Sequence, residues 1–391
     1  MRILAAAAVT AVLAGGGPAT AQTAREAAVA IDRIEIPLRE TVDLERLAAP
    51  LRAPWSMAFL PGGDILLVEK YHGLRVLGAD GRLGPLLAGL PDSVLRKEDS
   101  GYLDVALDPG FARNRRLYLA FAEGTEASNR TAVWRAELAG DRLVGGRVIF
   151  RTNVAKAGSS HPGGRLLFLR DGTLLLSVGD GFTFRDAAQD PASHLGKVLR
   201  LTRDGAAPAD NPFIGRAGHA PEIWSLGPRN IQGLALDPAT GLVWSHDHGP
   251  RGGDEVNQLR PGLNHGWPRV SHGIDYDGKV ITERAFAPGI EPSLFYWAPS
   301  IAPSGLAIYR GSLYPDWGGR FFVGALAARS LVRLRTGRDT GLFVEEERMF
   351  AGLRARIRDV RVGPDGHLYV LVDDPVNGML LRLVPRKTPP G

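Results

Sequence analysis

Six times along this chain an apolar run meets a turn rich in Pro, Asp or Gly and is answered by a second apolar run. The copies are MAFLPGGDILLVE from Met57, VALDPGFARNRRLYLAFAE from Val105, LLFLRDGTLLLSVGD from Leu166, LALDPATGLVWSHDHG from Leu234, LAIYRGSLYPDWGGRFFVGAL from Leu306 and VRVGPDGHLYVLVDD from Val360, spaced by roughly 50 to 70 residues. Each reads as a β-hairpin. A lone hairpin cannot cover both of its faces, so units that recur at this period must stack on one another. Further strand-like runs lie between them: GLRVL after Tyr71, TAVWRAEL after Arg130, KVLRLT after Gly196, SLVRLR after Arg329 and GMLLRLV after Asn377. Four strands per unit and six units describe an all-β fold, a six-bladed β-propeller of four-stranded antiparallel blades, as a single domain over residues 45–386. Two β-sandwiches would not repeat one hairpin six times. No glycine-rich phosphate loop sits between a strand and a helix, which argues against a nucleotide-binding fold.

The rest of the chain bounds where such a propeller works. Residues 1–21, MRILAAAAVTAVLAGGGPATA, read as a secretory signal peptide: a positive start at Arg2, an apolar run, and an Ala-Thr-Ala cleavage site before Gln22. Residues 22–44 form an N-terminal segment, and no later run is long enough for a membrane span. The mature protein is therefore expected to be periplasmic. It has no cysteine, so disulfides, thiolate zinc sites and cysteine nucleophiles are excluded. Its net charge of +5 is scattered, with no Lys/Arg block, which speaks against nucleic acid and suits a small anionic ligand.

Several polar clusters are more than a propeller needs. His161 stands before Pro162-Gly163-Gly164, and Asp180 ends the hairpin that follows. Antiparallel pairing places both at one end of that hairpin, where the aspartate can accept from one ring nitrogen and leave the other as a base. Arg229, Asn230 and Gln232 directly precede a strand; they suit an anionic or carbonyl-rich ligand, or hydrogen bonds between blades. His246 to Pro268 contains Gly249-Pro250 and Asp254-Glu255, whose carbonyls and carboxylates suit a hard cation such as Ca²⁺. His246 and His248, alternating on one strand, leave a zinc reading open. Arg356 and Arg358 share a strand face and would be reconciled by a ligand carboxylate, or stand solvated. Trp297, among prolines, offers a flat apolar wall for a substrate or a packing surface between blades.

Taken in order, PWSMAFLPGGDILLVEK, GYLDVALDPGFARNRRLYLAF, HPGGRLLFLRDGTLLLSVGD, HLGKVLRLTRDG, LGPRNIQGLALDP, HGPRGGDEVN, NHGWP, APSIAPSG and RIRDV resemble the soluble pyrroloquinoline quinone (PQQ)-dependent sugar dehydrogenases of the glucose/sorbosone dehydrogenase group, over about residues 45 to 386. The resemblance implies PQQ and Ca²⁺ as cofactors, an aldose as substrate, and a separate electron acceptor, a quinone or a cytochrome. It makes His161 the base for the anomeric hydroxyl and Asp180 its orienting carboxylate, with the C1 hydride passing to the quinone. It makes Arg229 and Asn230 the pair that polarises the quinone oxygens, with Gln232 beside them, and Arg356 and Arg358 the partners of its carboxylates. Gly249 and Pro250 become the carbonyls that hold Ca²⁺. The chain departs from the pattern at Asp99, where a glutamine is common, at Ser160, where the glucose enzymes have aspartate, and at His265, where a tyrosine is common; the first two bear on sugar preference. A cofactor-contacting lysine falls near Ala327, where Arg329 is the possible substitute. Two other readings remain: a binding propeller without cofactor, and a Ca²⁺-dependent propeller lactonase.

Overall fold

The second strand of most of the hairpins is apolar almost without interruption, and that decides how the units assemble. Strands β3 (Ile65–Glu69), β11 (Leu174–Val178) and β23 (Leu368–Val372) are buried at every position. A strand buried on both faces must lie between two other layers, which here are the neighbouring blades. Outer strands read differently: β9 (Arg142–Arg151) is mostly exposed, as the rim of a blade should be.

The computed structural model describes residues 42–337 and 342–386. Among them are six four-stranded antiparallel sheets, the six blades of a β-propeller. Five blades use four consecutive strands, over residues 54–86, 102–151, 166–226, 231–297 and 303–349. The sixth joins β22 (Ile357–Val362), β23 and β24 (Gly378–Pro385) to β1 (Val42–Leu51) from the other end of the chain. β1 pairs antiparallel with β24 from Val42↔Pro385 to Leu51↔Gly378, which closes the ring. The propeller thus begins at Val42, three residues before the expected boundary, because the closing strand runs ten residues. The expected signal peptide and most of the 22–44 segment lie outside the described residues. No helix among the described residues is long and apolar enough to cross a membrane.

All six hairpins of the sequence repeat are present. In the first, Met57 pairs with Leu67 and Ala58 with Leu66. The second carries one short helix, Phe111–Asn114, where the sequence reads only a turn. The innermost strands β2 (Pro54–Phe59), β6 (Tyr102–Leu107), β10 (Leu166–Phe168), β14 (Ile231–Leu236), β18 (Pro303–Ile308) and β22 contact one another in sequence order and close back on β2. Arg165, from the third blade, marks their axis. Its guanidinium reaches Asp359 (2.7 Å), the carbonyls of Gln232 and Arg358, and the ring of Trp55. Arg361 ties the same Asp359 to Asp104. Buried charges paired this completely plug the channel below its mouth and hold four blades in register with the third.

Candidate active site

Two kinds of position meet at one mouth of the channel: residues just before each inner strand, and residues just after each second strand. They enclose a cavity of about 220 Å³. His161 precedes β10 and lines it; Asp180 follows β11 and lies behind His161. His161 adopts a left-handed φ of 50°, a conformation that costs a side-chain-bearing residue energy. The glycines after it make that path possible. A Cβ on Gly163 would lie 2.6 Å from the Ser177 carbonyl oxygen, and one on Gly164 would lie 2.4 Å from Leu103.

His161 Nδ1 lies 2.7 Å from Asp180 Oδ1. A carboxylate accepts, so Nδ1 carries the proton and Nε2 is the basic nitrogen on the cavity side. Asp180 also accepts from the Phe182 N–H (2.8 Å) and, through Oδ2, from Trp267 Nε1 (2.8 Å). Burial acts to raise the Asp180 pKa; the hydrogen bond and charge of His161, the Arg229 charge and the Phe182 N–H together outweigh it and hold the carboxyl below its ordinary range. The pair is thus a base already oriented against an ionised, fully bonded aspartate.

Opposite it stands a wall of cations. Arg358 Nη2 donates to Asp373 (2.8 Å), and Arg356 reaches the same carboxylate at 3.3 Å. Lys70, just past β3, lines the cavity too, with Nζ donating to the Glu98 carbonyl (2.6 Å). Burial, and then the nearby Arg358 charge, lowers the Lys70 pKa to about 8. Arg358 Nε and Arg229 Nε are buried with no partner. Two orphaned guanidinium nitrogens and an excess of cations over Asp373 form a donor set that suits a polycarboxylate ligand. Asn230 and Gln232 line the floor; Asn230 Oδ1 accepts from the Gly163 N–H (3.2 Å).

Lys70 was not singled out in the sequence, where a lysine after a strand reads as surface. The repeat itself carries the signal: Lys70, Asp180, His248, Leu326 and Asp373 all fall one or two residues past the second strand of their blades. The lysine expected near Ala327 is therefore not the only route to a cation here. Arg329 is exposed at the turn after β19 (Phe321–Ala325) and is not among the residues lining the cavity. Asp99 is exposed on the cavity rim, with Oδ2 3.4 Å from the His161 N–H, while Ser160 is half-buried next to His161 and does not line the cavity. Trp297 is displaced from the expected place: it is buried and faces a different cavity, bonding Glu345 through Nε1 (2.7 Å).

Beside the main cavity, Gly249, Pro250 and Glu255 line a pocket of about 20 Å³ together with Arg229, Asp247 and His265. That is room for one water or ion. Asp254 does not join them. It and Glu255 are neighbours in β16 (Asp254–Leu259), so their side chains take opposite faces. The Asp254 carboxylate is consumed by the N–H groups of Gly249, Ile301 and Ala302 and by the Ser300 hydroxyl. Glu255 accepts from Asn257 (3.2 Å); burial, with the Asp247 charge, raises its pKa to about 8. Asp247 is raised to about 7, again by burial, against the N–H bonds of Arg229 and Asn230. Arg229 Nη1 donates to the Gly249 carbonyl (3.0 Å), which leaves that oxygen one lone pair. Both ring nitrogens of His265 are buried and unpartnered. Among the described residues no cluster of three His, Asp or Glu side chains is arranged to hold a metal, so a cation here would depend on the carbonyls. The His246/His248 zinc reading also fails on geometry: each Nε2 donates to a backbone carbonyl, of Gly305 and Pro303.

The fold and site are those of a six-bladed propeller with a buried His–Asp pair at the edge of a cationic cavity. The chain belongs to the Glucose / Sorbosone dehydrogenase family, whose profile matches residues 51–382. It is 40% identical over 352 residues to aldose sugar dehydrogenase YliI of Escherichia coli, covering 88% of this chain and 94% of that protein. The crystal structure of the soluble aldose sugar dehydrogenase from Escherichia coli in the apo-form superposes with a TM-score of 0.85 at 39% identity, covering 88% and 100% of the two chains. The PQQ-bound form of aldose sugar dehydrogenase from Streptomyces coelicolor gives 0.69 at 26% identity, covering 88% and 99%.

Proposed function

We propose that this protein is a PQQ-dependent aldose sugar dehydrogenase, exported to the periplasm, that oxidises the anomeric carbon of aldoses to lactones. The observation that carries the reading is the His161–Asp180 pair at 2.7 Å, opening onto a cavity whose far wall is Lys70, Arg356 and Arg358. PQQ, when bound, supplies the two-electron acceptor for the C1–H bond. The residues of the chain do the rest. His161 Nε2 takes the proton of the anomeric hydroxyl, and Asp180 stabilises the imidazolium that results. Trp267 and the Phe182 N–H keep Asp180 from turning away. Arg356, Arg358 and Lys70 would hold the cofactor's carboxylates, and Asn230, with Arg229 behind it, would hydrogen-bond its quinone oxygens. Asp99 at the rim meets the sugar's hydroxyls.

Ca²⁺ is proposed at the Gly249 and Pro250 carbonyls, with Glu255 on the same pocket wall; the Asp254 carboxylate is engaged instead by the Gly249 N–H and the 300–302 loop. There it would add positive charge beside the cofactor. The lactonase reading places a metal on the propeller axis, and in this chain the Arg165 guanidinium fills that position.

Titration of the purified apo-protein with PQQ and Ca²⁺, followed by dye reduction with a panel of aldoses, tests the proposal. Sugar-dependent reduction that saturates with PQQ and disappears with chelator is the expected result. PQQ that fails to bind would leave the cofactor-free binding propeller.

A further inference from the structure

The cavity that received Trp297 is larger than the one at the channel mouth, about 410 Å³, and no step above uses it. It lies against the fourth and fifth blades. Phe295 and Trp297 form its aromatic wall, ring centroids 4.8 Å apart and edge to face, and Pro299, Ile301, Ala327 and Ala328 complete an apolar slot. One edge is polar: Glu345 accepts from Trp297 Nε1 and from Arg348 Nε (2.6 Å), and the Arg348 side chain remains 44% exposed. The volume falls within the roughly 300–1,000 Å³ of small-molecule sites, and an apolar body with a few fixed polar groups is their usual lining.

Its position gives it meaning. Ile301 lines this slot and Ala302 lines the channel-mouth cavity; Ala327 lines the slot and Leu326 the channel-mouth cavity. The two cavities are therefore back to back, divided at these two places by a single thickness of chain. We propose that the slot is the binding site for the electron acceptor, a planar quinone, stacked on the aromatic wall with a carbonyl oxygen toward Arg348. The proposal rests on the dehydrogenase reading above. Forming one lactone from one aldose releases two electrons and two protons; a quinone that takes up both leaves as the hydroquinone, so the cycle balances without another oxidant. Ala327 has a part in this: a long side chain at the turn would crowd the slot from within.

The test separates the site from the reading. Calorimetric titration of cofactor-free protein with menadione needs no turnover. Saturable binding to the wild type is expected, weakened about tenfold or more by Ala328→Phe, which fills the slot, and several-fold by Arg348→Gln, which removes the surface cation. In PQQ-loaded enzyme the same variants raise the KM for menadione by matching factors, while ferricyanide, which has no planar ring, supports turnover within about twofold of wild type. Absence of menadione binding to the wild type overturns the site, as does binding that survives both variants or an equal fall with both acceptors. Wild-type protein that binds menadione in the slot yet oxidises no aldose with either acceptor keeps the site and sinks the dehydrogenase reading.

Discussion

Two buried carboxylate corners stand side by side at the channel mouth and behave in opposite ways. Asp180 is buried, yet its pKa falls below the ordinary range; Glu255 is half-buried, and its pKa rises to about 8. Burial opposes ionisation in both. What differs is the supply of donors. Asp180 receives an imidazole N–H, an indole N–H and a backbone N–H, with Arg229 nearby. Glu255 receives one amide from Asn257 and faces the acidic Asp247. The first corner is complete without any ligand. The second sets one guanidinium, that of Arg229, against two carboxyls, and a cation at the Gly249 and Pro250 carbonyls would balance the other. On the proposed function, the base would be formed before binding and the cation site completed by it.

The strongest test sets the two corners against each other in turnover. His161→Ala is expected to lower kcat by about 10²–10⁴-fold, the usual contribution of a general base, with PQQ binding changed little. Near-normal sugar oxidation in that variant would sink the assignment. Glu255→Gln is expected instead to keep most of its turnover at saturating Ca²⁺ while requiring more Ca²⁺ to reach it.

The cationic wall comes next. Arg358→Met and Lys70→Met each remove a charge-assisted partner worth about 1.5–3 kcal/mol, so PQQ affinity should fall roughly 10- to 100-fold in each. Fluorescence titration with PQQ checks this. Arg329→Ala, at the exposed turn, should leave that affinity unchanged; an equal loss there would move the anion site toward the fifth blade.

A smaller effect reports on the second corner alone. A carboxyl with a raised pKa binds more protons folded than unfolded, so stability falls as pH climbs from the ordinary value through the folded one. For Glu255 that window runs from about 4.5 to about 8, and for Asp247 from about 3.8 to about 7. Asp180 has the opposite sign: its stabilisation is present above the ordinary value and is lost in acid as pH falls through the lowered one. Four histidines, His246, His248, His265 and His272, are held below their ordinary pKa mainly by burial and act in the opposite sense below about pH 6.5. The corner is therefore read by difference: in urea unfolding of metal-free protein, the gain in stability of Glu255→Gln over wild type should grow from pH 5 toward pH 8, and Ca²⁺ should shrink it. Glu255→Gln should recover on the order of 1–3 kcal/mol at pH 8 without metal. A difference between variant and wild type that does not change with pH would remove the contrast.

These corners also mark how far the sequence could be read. The hairpins were legible because each is local: two apolar runs and a turn within a few residues. His161 and Asp180 were legible for the same reason, since they bracket one hairpin. Lys70 was not, because it reaches the cavity only through closure of the ring, and its sole trace is its place in the repeat. Trp297 lines a cavity other than the one at the channel mouth, since sequence does not say which side of a one-chain partition a side chain faces. Asp254 and Glu255 were grouped because they are adjacent, and strand alternation is what separates them.

That separation can be tested by the smallest effect of all. Asp254→Asn keeps the shape but weakens an acceptor that now serves three N–H groups and a hydroxyl. Folding stability should fall by about 1–3 kcal/mol, because buried donors lose an ionised partner. Calcium dependence of turnover should shift less than with Glu255→Gln, because the lost charge serves mainly the 300–302 loop and meets the pocket only through the Gly249 N–H. If Asp254→Asn shifts the Ca²⁺ midpoint as far as Glu255→Gln does, the bond from the Gly249 N–H to Asp254 governs the cation site as strongly as the carboxylate on its wall.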